Sequence, residues 1–295
     1  MTTIESIIYG EIKKTAGDLL AKKDDTPAIF YGQAPDDTDS WKDKVQYPRI
    51  IYATDYKYDP ERKTSGTLQI DIYTKQDEEI YSEDLAKLLR KDLDRLFVTD
   101  DQGTMSLAWN LDTQWAEAKE NPKIAGTSMY FDLYDYPFQK VSDEMDPTYS
   151  ASIYAKDLLK DDAKIIGIDT MDQAARGDMV YFYFSNTLGV DYSSSIYAVT
   201  WVRARIKGQF EGPNADKNIY KFVNQLALDQ EICLEDGSPF FIEATEVTKQ
   251  NTGSQLIIDG RYGVLRGRKD VSALNLVSLR EDNILRRIIH GKEDD

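Results

Sequence analysis

The feature that most constrains the fold is an order of predicted elements that occurs twice along the chain. The first copy contains strand, strand, amphipathic helix, strand and strand, at 48–54, 66–73, 82–97, 104–115 and 127–134. The second copy contains the same order, at 179–184, 197–206, 218–228, 240–248 and 254–262. The offset is roughly 130 residues, which is the length of a whole domain rather than of a solenoid repeat. The sequence therefore predicts two tandem copies of one domain.

Residue periodicity predicts the fold class of each copy. Leu68, Ile70 and Ile72 alternate with more polar residues, as in an antiparallel strand with one buried face. The 82–97 segment repeats leucine at helical spacing, so we expect its apolar stripe to cover that face. A helix and a short strand open each copy, at 4–20 and 28–31 and again at 148–159 and 163–168. The prediction is an α/β (α+β) fold with amphipathic helices covering a mainly antiparallel or mixed sheet.

Proline, acidic residues and charge set the boundaries. Two prolines and several acidic residues interrupt the pattern at 136–147, which predicts a linker between a first domain at 1–140 and a second at 147–268. The remaining residues, 269–295, have no counterpart in the first copy and form a C-terminal arm. Between 261 and 292, the sequence contains eight Lys and Arg residues but only three acidic ones. Either this region docks on an acidic neighbouring surface, or its cations only complement the dipole of their own helix.

The overall composition is that of an ordinary globular protein, with 41% hydrophobic and 30% charged residues. No apolar run approaches the roughly 18 residues of a membrane span, and the start of the chain lacks the regions of a signal peptide. A net charge of −16 disfavours broad adsorption to nucleic acid or anionic membrane. We therefore expect synthesis in the cytoplasm, with neither a membrane nor a specific nucleic acid as partner.

Residues for catalysis are sparse. A single histidine, His290, and a single cysteine, Cys233, leave no Ser-His-Asp triad, disulfide or multi-cysteine zinc site to assemble. No glycine-rich phosphate loop occurs. Asp71, Asp132 and Asp259 lie within predicted strands, opposite their apolar neighbours, which predicts a solvated face rather than a metal site. We expect no catalytic residue, no cofactor and no metal.

Two features are candidates for subunit contacts. Trp41 is the one large apolar residue of an acidic loop at 32–44, and it is either folded back or offered to a partner. In the arm, aliphatic residues at helical spacing predict a short helix that must pack on its own domain or on an adjacent subunit. The candidate arm residues are Arg280, Ile284, Leu285, Arg286, Arg287, Ile288 and Ile289.

Four segments carry a resemblance to a known family. They are YPRIIY at 47–52, GTLQIDIYTK at 66–75, SEDLAKLLRKDLDRLF at 82–97 and TSMYFDLYDYP at 127–137. Together with the opening helix, their order resembles the tail terminator, or tail completion, proteins of long-tailed bacteriophages and of phage-derived contractile particles. The resemblance covers residues 1–140 and, more faintly, the second copy.

The resemblance implies a structural protein, not an enzyme, that forms a ring, usually a hexamer, capping the tail tube and joining it to the head or collar. Its partners would be copies of itself and the tail tube, sheath or head-connector proteins, with DNA passing through the lumen. It would act in the host bacterial cytoplasm during assembly and then in the virion. Typical members have a single domain, so a duplicated chain departs from the family. Two alternatives stay open: another collar, sheath-associated or baseplate component, and a carboxylate-metal hydrolase.

Overall fold

The chain divides into two units, each with its own sheet and core. The computed structural model describes residues 3–35, 41, 45–59, 64–76, 79–117, 124–139, 145–169, 171–176, 181–191, 198–212, 214–250 and 253–265. Unit 1 comprises Met1–Pro137 and Met171–Arg176, and unit 2 comprises Phe138–Thr170 and Gly177–Asp295. The first boundary lies at the predicted linker, whereas Met171–Arg176 falls within the predicted second domain and yet belongs to unit 1.

The predicted helices and strands occur in the predicted order, and the structure adds further short strands between them. The helices are α1 (Ile4–Ala16), α2 (Ser82–Leu93), α3 (Pro147–Leu159) and α4 (Ala215–Asp229). The strands are β1 (Lys22–Lys23), β2 (Thr26–Pro27), β3 (Ile29–Tyr31), β4 (Arg49–Asp55), β5 (Gly66–Lys75), β6 (Leu96–Thr99), β7 (Gly103–Glu117), β8 (Ile124–Pro137), β9 (Lys164–Ile165), β10 (Ala174–Arg176), β11 (Tyr181–Asp191), β12 (Val199–Glu211), β13 (Glu231–Cys233), β14 (Pro239–Gln250) and β15 (Gly253–Leu265). Short 3₁₀ turns at Gly17–Leu19 and Lys160–Asp162 follow α1 and α3.

The unit 1 sheet has seven strands in the order β10-β6-β7-β8-β5-β4-β3. Neighbouring strands are antiparallel except β3 and β4, which are parallel. Helices α1 and α2 pack on one face, where Ile8, Leu89 and Phe131 are fully buried. Burial along β5 alternates strictly, as its sequence pattern predicts.

The unit 2 sheet has six strands in the order β13-β14-β15-β12-β11-β9. Only β9 and β11 are parallel. Helices α3 and α4 pack on this sheet over an aromatic core that includes Phe184, Phe210, Phe222 and Phe240. Both units therefore confirm the predicted α+β class with mixed, mainly antiparallel sheets.

The two units have the same topology. Each strand pair of one unit has a counterpart with the same neighbours and the same direction in the other. The corresponding elements are β3 and β9, β4 and β11, β5 and β12, α2 and α4, β6 and β13, β7 and β14, and β8 and β15. In both units a glycine with positive φ follows the first strand of this set, Gly32 at 74° and Gly167 at 87°. Each long hairpin, β7–β8 and β14–β15, also contains a register shift. Duplication of one domain agrees with these features, and superposition of the units stays a prediction.

Helix α2 ends earlier than the sequence predicts. The predicted helix runs to Phe97, but α2 ends at Leu93 and Phe97 lies in β6. Arg95 has a φ of 59°, which a right-handed helix does not continue. Leu96 still enters the core, so the apolar stripe passes from helix to strand on one side of the unit.

Candidate assembly interface

The long hairpin of unit 1, β7–β8, has an open strand edge. Strand β6 pairs only with the first part of β7. Next to it, the Asp94 carboxylate accepts the backbone N–H of Trp109 at 2.9 Å and so covers one more position of the edge. From 111 to 117, no strand pairs with the outer side of β7 in the part of the chain that the structure describes. We name residues 111–117 the first ribbon edge.

Two large apolar side chains stand at the start of this edge. Trp109 is 37% exposed and Leu111 is 42% exposed. The Trp109 Nε1–H donates to Asp112 Oδ1 at 2.7 Å, and the guanidinium of Arg90 lies 4.7 Å from the ring centroid. Arg90 also lies within 3.5 Å of Asp112. These contacts orient the indole in advance, so a partner that packs on it orders little new structure.

Unit 2 has the corresponding open edge on β14. Strand β13 pairs only with 239–241. Beyond it, residues 243–250 have no strand on their outer side among the described residues, and we name them the second ribbon edge. Three of its side chains are charged: Glu243, Glu246 and Lys249. Charged residues of this kind oppose uncontrolled pairing of an edge strand, and the first ribbon edge carries two of them, Asp112 and Glu117, with none between 113 and 116.

The outward face of the unit 2 sheet carries paired charges. Arg205 binds Asp259 through two hydrogen bonds of 2.7 and 2.9 Å. Arg261 Nε lies 3.1 Å from Glu243 Oε1, and its guanidinium lies 5.0 Å from the ring centroid of Trp201. Partly exposed pairs add little stability one by one, but their pattern can select a partner surface by charge.

The strand aspartates lie in three different surroundings. Asp259 faces outward, and Asp71 is half-buried and accepts hydrogen bonds of 2.9 and 3.0 Å from a neighbouring glutamine amide. The predicted solvated face is wrong for Asp132, which is buried. The residue alternation places Asp132 on the side of the strand opposite the apolar residues. That side is also covered, as the burial of Ser106 and Ser128 on it shows.

A shallow depression of about 340 Å³ lies beside the end of α3. Three lysines and three aspartates line it, so their charges balance. Lys156 pairs with Asp169 at 2.8 Å, and Asp169 also accepts the backbone N–H of Ile165 at 2.8 Å. These groups serve the local structure. Among the described residues, no group of three or more His, Cys, Asp or Glu side chains is placed to hold a metal ion.

Trp41 lies inside unit 1 and is 0% exposed. Its ring packs edge-to-face on Phe30 with centroids 5.3 Å apart, and it forms a small core with Ala21 and Ala28. The guanidinium of Arg49 lies 5.9 Å from the ring centroid. This removes Trp41 from the candidate interface, because an enclosed side chain offers no surface to a partner.

The other predicted interface residues belong to the arm and lie outside the described residues. They are Arg280, Ile284, Leu285, Arg286, Arg287, Ile288 and Ile289. Their contacts stay a prediction. Sequence reasoning missed Trp109 and Leu111, since apolar residues within a predicted strand ordinarily belong to the core. The charge pattern offered no signal, because longer uncharged runs than 113–116 occur elsewhere in the chain, for example at 64–70.

A tyrosine cluster joins α1 to β4 in unit 1. The Tyr56 hydroxyl donates to Glu5 Oε1 at 2.7 Å, and the Tyr52 hydroxyl donates to the backbone oxygen of Glu5 at 2.9 Å. Burial, followed by the negative charge of Glu5, raises the pKa of Tyr52 to about 12. Burial acts to raise the pKa of Glu5, but hydrogen bonds, first that from Tyr56, bring it below its usual range.

Comparison with known proteins assigns no family. No protein-family model matches the chain, and no curated protein matches it significantly. No helix within the described ranges is long and apolar enough to cross a membrane. The family resemblance therefore rests on the sequence segments at 47–52, 66–75, 82–97 and 127–137.

Proposed function

We propose that this chain is a structural protein whose copies form a closed ring at the end of a phage tail or of a phage-derived contractile particle. The ring would terminate the tail tube and join it to the head or collar. The observation that supports assembly most directly is the pair of ribbon edges. Each unit leaves a long strand edge without a paired strand among the described residues, at 111–117 and at 243–250.

An open edge favours assembly because its N–H and C=O groups are a template for another strand. Pairing with a strand of a second copy satisfies these groups and adds a backbone contribution to affinity. At the first ribbon edge, Trp109 adds a preformed aromatic anchor, the residue type that dominates interface energetics. The second ribbon edge, with its charges, suits a selective contact.

The proposed location at the end of a tail rests on the sequence resemblance to tail terminators. A ring of chains that each carry a net charge of −16 has a strongly negative field, and a negative lumen would keep passing DNA from adhering. The partners would be the tail tube, sheath or head-connector proteins, met in the host cytoplasm and retained in the virion. Among the described residues, no cluster of carboxylates placed to hold a metal ion supports the hydrolase alternative.

The test is to add the purified chain to growing tubes of the tail tube protein from the same particle. A terminator binds the tube end, so tube lengthening stops and electron micrographs show a ring at one end. Binding along the tube would instead assign the chain to the sheath-associated class. No binding to either the end or the wall would contradict the proposal.

A further inference from the structure

Strand β13 forms one outer edge of the unit 2 sheet. The carbonyl of Gln230 accepts the N–H of Ile242 at 2.9 Å, and the N–H of Leu234 donates to Ser238 at 2.8 Å, both on the side of β14. Because backbone groups alternate between the two sides of an antiparallel strand, the N–H and C=O groups of Glu231 and Cys233 point away from β14. Within the described residues, no strand pairs with this outer side. The Cys233 side chain is exposed there.

The corresponding edge of unit 1 is covered. There β6 pairs antiparallel with β10, and the N–H of Thr99 donates to the carbonyl of Gln173 at 3.0 Å. Helix α1 packs on β6 and still leaves room for β10. Helix α3 packs on β13 in the same topological position, so the fold has room for one more strand on that edge.

The surroundings of the β13 edge are acidic. Glu231, Glu235 and Asp236 flank Cys233 in sequence. Burial raises the pKa of the Glu235 carboxyl, and the nearby carboxylates of Asp146 and Asp236 raise it further. Burial likewise raises the pKa of the Cys233 thiol, with Asp236 and Glu231 adding to the effect. Like charges this close favour a cationic partner.

We propose that the outer edge of β13 accepts an extended segment of the C-terminal arm, residues 269–295, from a second copy of this chain. The inference rests on the proposed ring. The chain continues for 30 residues beyond Leu265, the last described residue, and at roughly 3.3 Å per extended residue such a segment reaches well beyond its own sheet. Between 269 and 292 the arm carries five Lys and Arg residues and three acidic ones, so this part, with its arginines at 280, 286 and 287, complements the acidic edge.

A donor arm and an acceptor edge on one chain make a head-to-tail contact, which closes into a ring when the rotation between copies permits. The other candidate strand within the chain fits less well. Residues 32–48 lie between β3 and β4 as β10 lies between β9 and β11, but Trp41 within them is already enclosed in the core of unit 1.

The test uses two pools of the full chain, each with one cysteine. The first pool is the natural chain, whose only cysteine is Cys233. The second carries Cys233→Ser with Ser278→Cys in the arm. A disulfide between the pools can form only between copies, and peptide mapping should find Cys233 joined to position 278. The matched control replaces Ser278→Cys by Asn224→Cys on the exposed side of α4, and it should give no such product.

A second readout is the alkylation rate of Cys233 in the assembled natural chain. Pairing with the arm slows alkylation, and the full-length variant Arg280→Glu, Arg286→Glu, Arg287→Glu loses that protection. If rings form but neither cross-link nor protection is found, the arm proposal is overturned and the ring proposal stands. A third variant carries both the natural Cys233 and Ser278→Cys. If its disulfide forms only within single chains, the arm belongs to its own unit and the proposal is also overturned. Absence of both rings and cross-links would contradict the two proposals together.

Discussion

Phe222 lies among three aromatic rings in the core of unit 2. It is fully buried, with ring centroids of Tyr154, Phe184 and Phe210 at 5.5, 5.9 and 6.1 Å. Phe222→Ala should lower the free energy of unfolding by about 3–5 kcal/mol, because it removes buried surface and leaves a cavity. The matched control is Tyr220→Ala on the same helix, whose side chain is 57% exposed. Urea denaturation measures both, and an equal loss in the two variants would contradict the packing.

Tyr52 should make the stability of unit 1 depend on pH. Its pKa is about 12 in the fold, against about 10 for an unperturbed tyrosine, because burial and the charge of Glu5 disfavour the phenolate. A pKa raised by folding contributes stability that is complete below about pH 10 and is lost as the pH rises toward 12. Tyr52→Phe should therefore flatten the fall of the unfolding free energy over this window. Parallel wild-type and variant curves from denaturation at several pH values would rule this contribution out.

The burial of two single residues, Asp132 and Trp41, could not be predicted from the sequence. The alternation around Asp132 identified its side of the strand, but the burial of that side depends on what covers it. For Trp41 the sequence left two interpretations, and only packing against Phe30 decides for the interior. Both outcomes depend on neighbours distant in sequence.

At the scale of elements, the two ribbon edges differ in where their charged side chains lie. Leu111→Lys would replace an exposed apolar side chain of the first ribbon edge by a charge and should weaken strand pairing between copies. Sedimentation velocity should show a shift to smaller species with an unchanged thermal midpoint. Val247→Lys, at a 38% exposed position of the already charged second ribbon edge, serves as the control and should shift assembly less. Assembly unaffected by Leu111→Lys would exclude the first ribbon edge from the contact.

Most elements were predictable because their periodicity is strong. The alternation in β5 and the leucine spacing in α2 each come from one buried face. The end of α2 was not predictable, since Leu96 and Phe97 continue the apolar stripe without a glycine or proline to mark the change. Strand β10 was missed because three residues, Ala174 to Arg176, are too few to show alternation.

At the scale of the whole molecule, the shared strand order predicts that the two units superpose. An experimental structure should align β3 to β8 of unit 1 with β9 and β11 to β15 of unit 2, with α2 over α4. The insertion of Met171–Arg176 into unit 1 is the expected departure. Sheets of unlike strand order in the two units would refute a duplication.

The central claim is that this chain works as a closed homo-oligomer, and its mass under native conditions tests that claim most directly. One chain has a mass of 33.7 kDa. Because open strand edges and a donor arm repeat in each copy, native mass spectrometry should give one dominant species at a whole-number multiple of that mass, unchanged on moderate dilution. A hexamer would agree with the family resemblance. A monomer at all concentrations, or an open series of masses without a preferred size, would contradict the account.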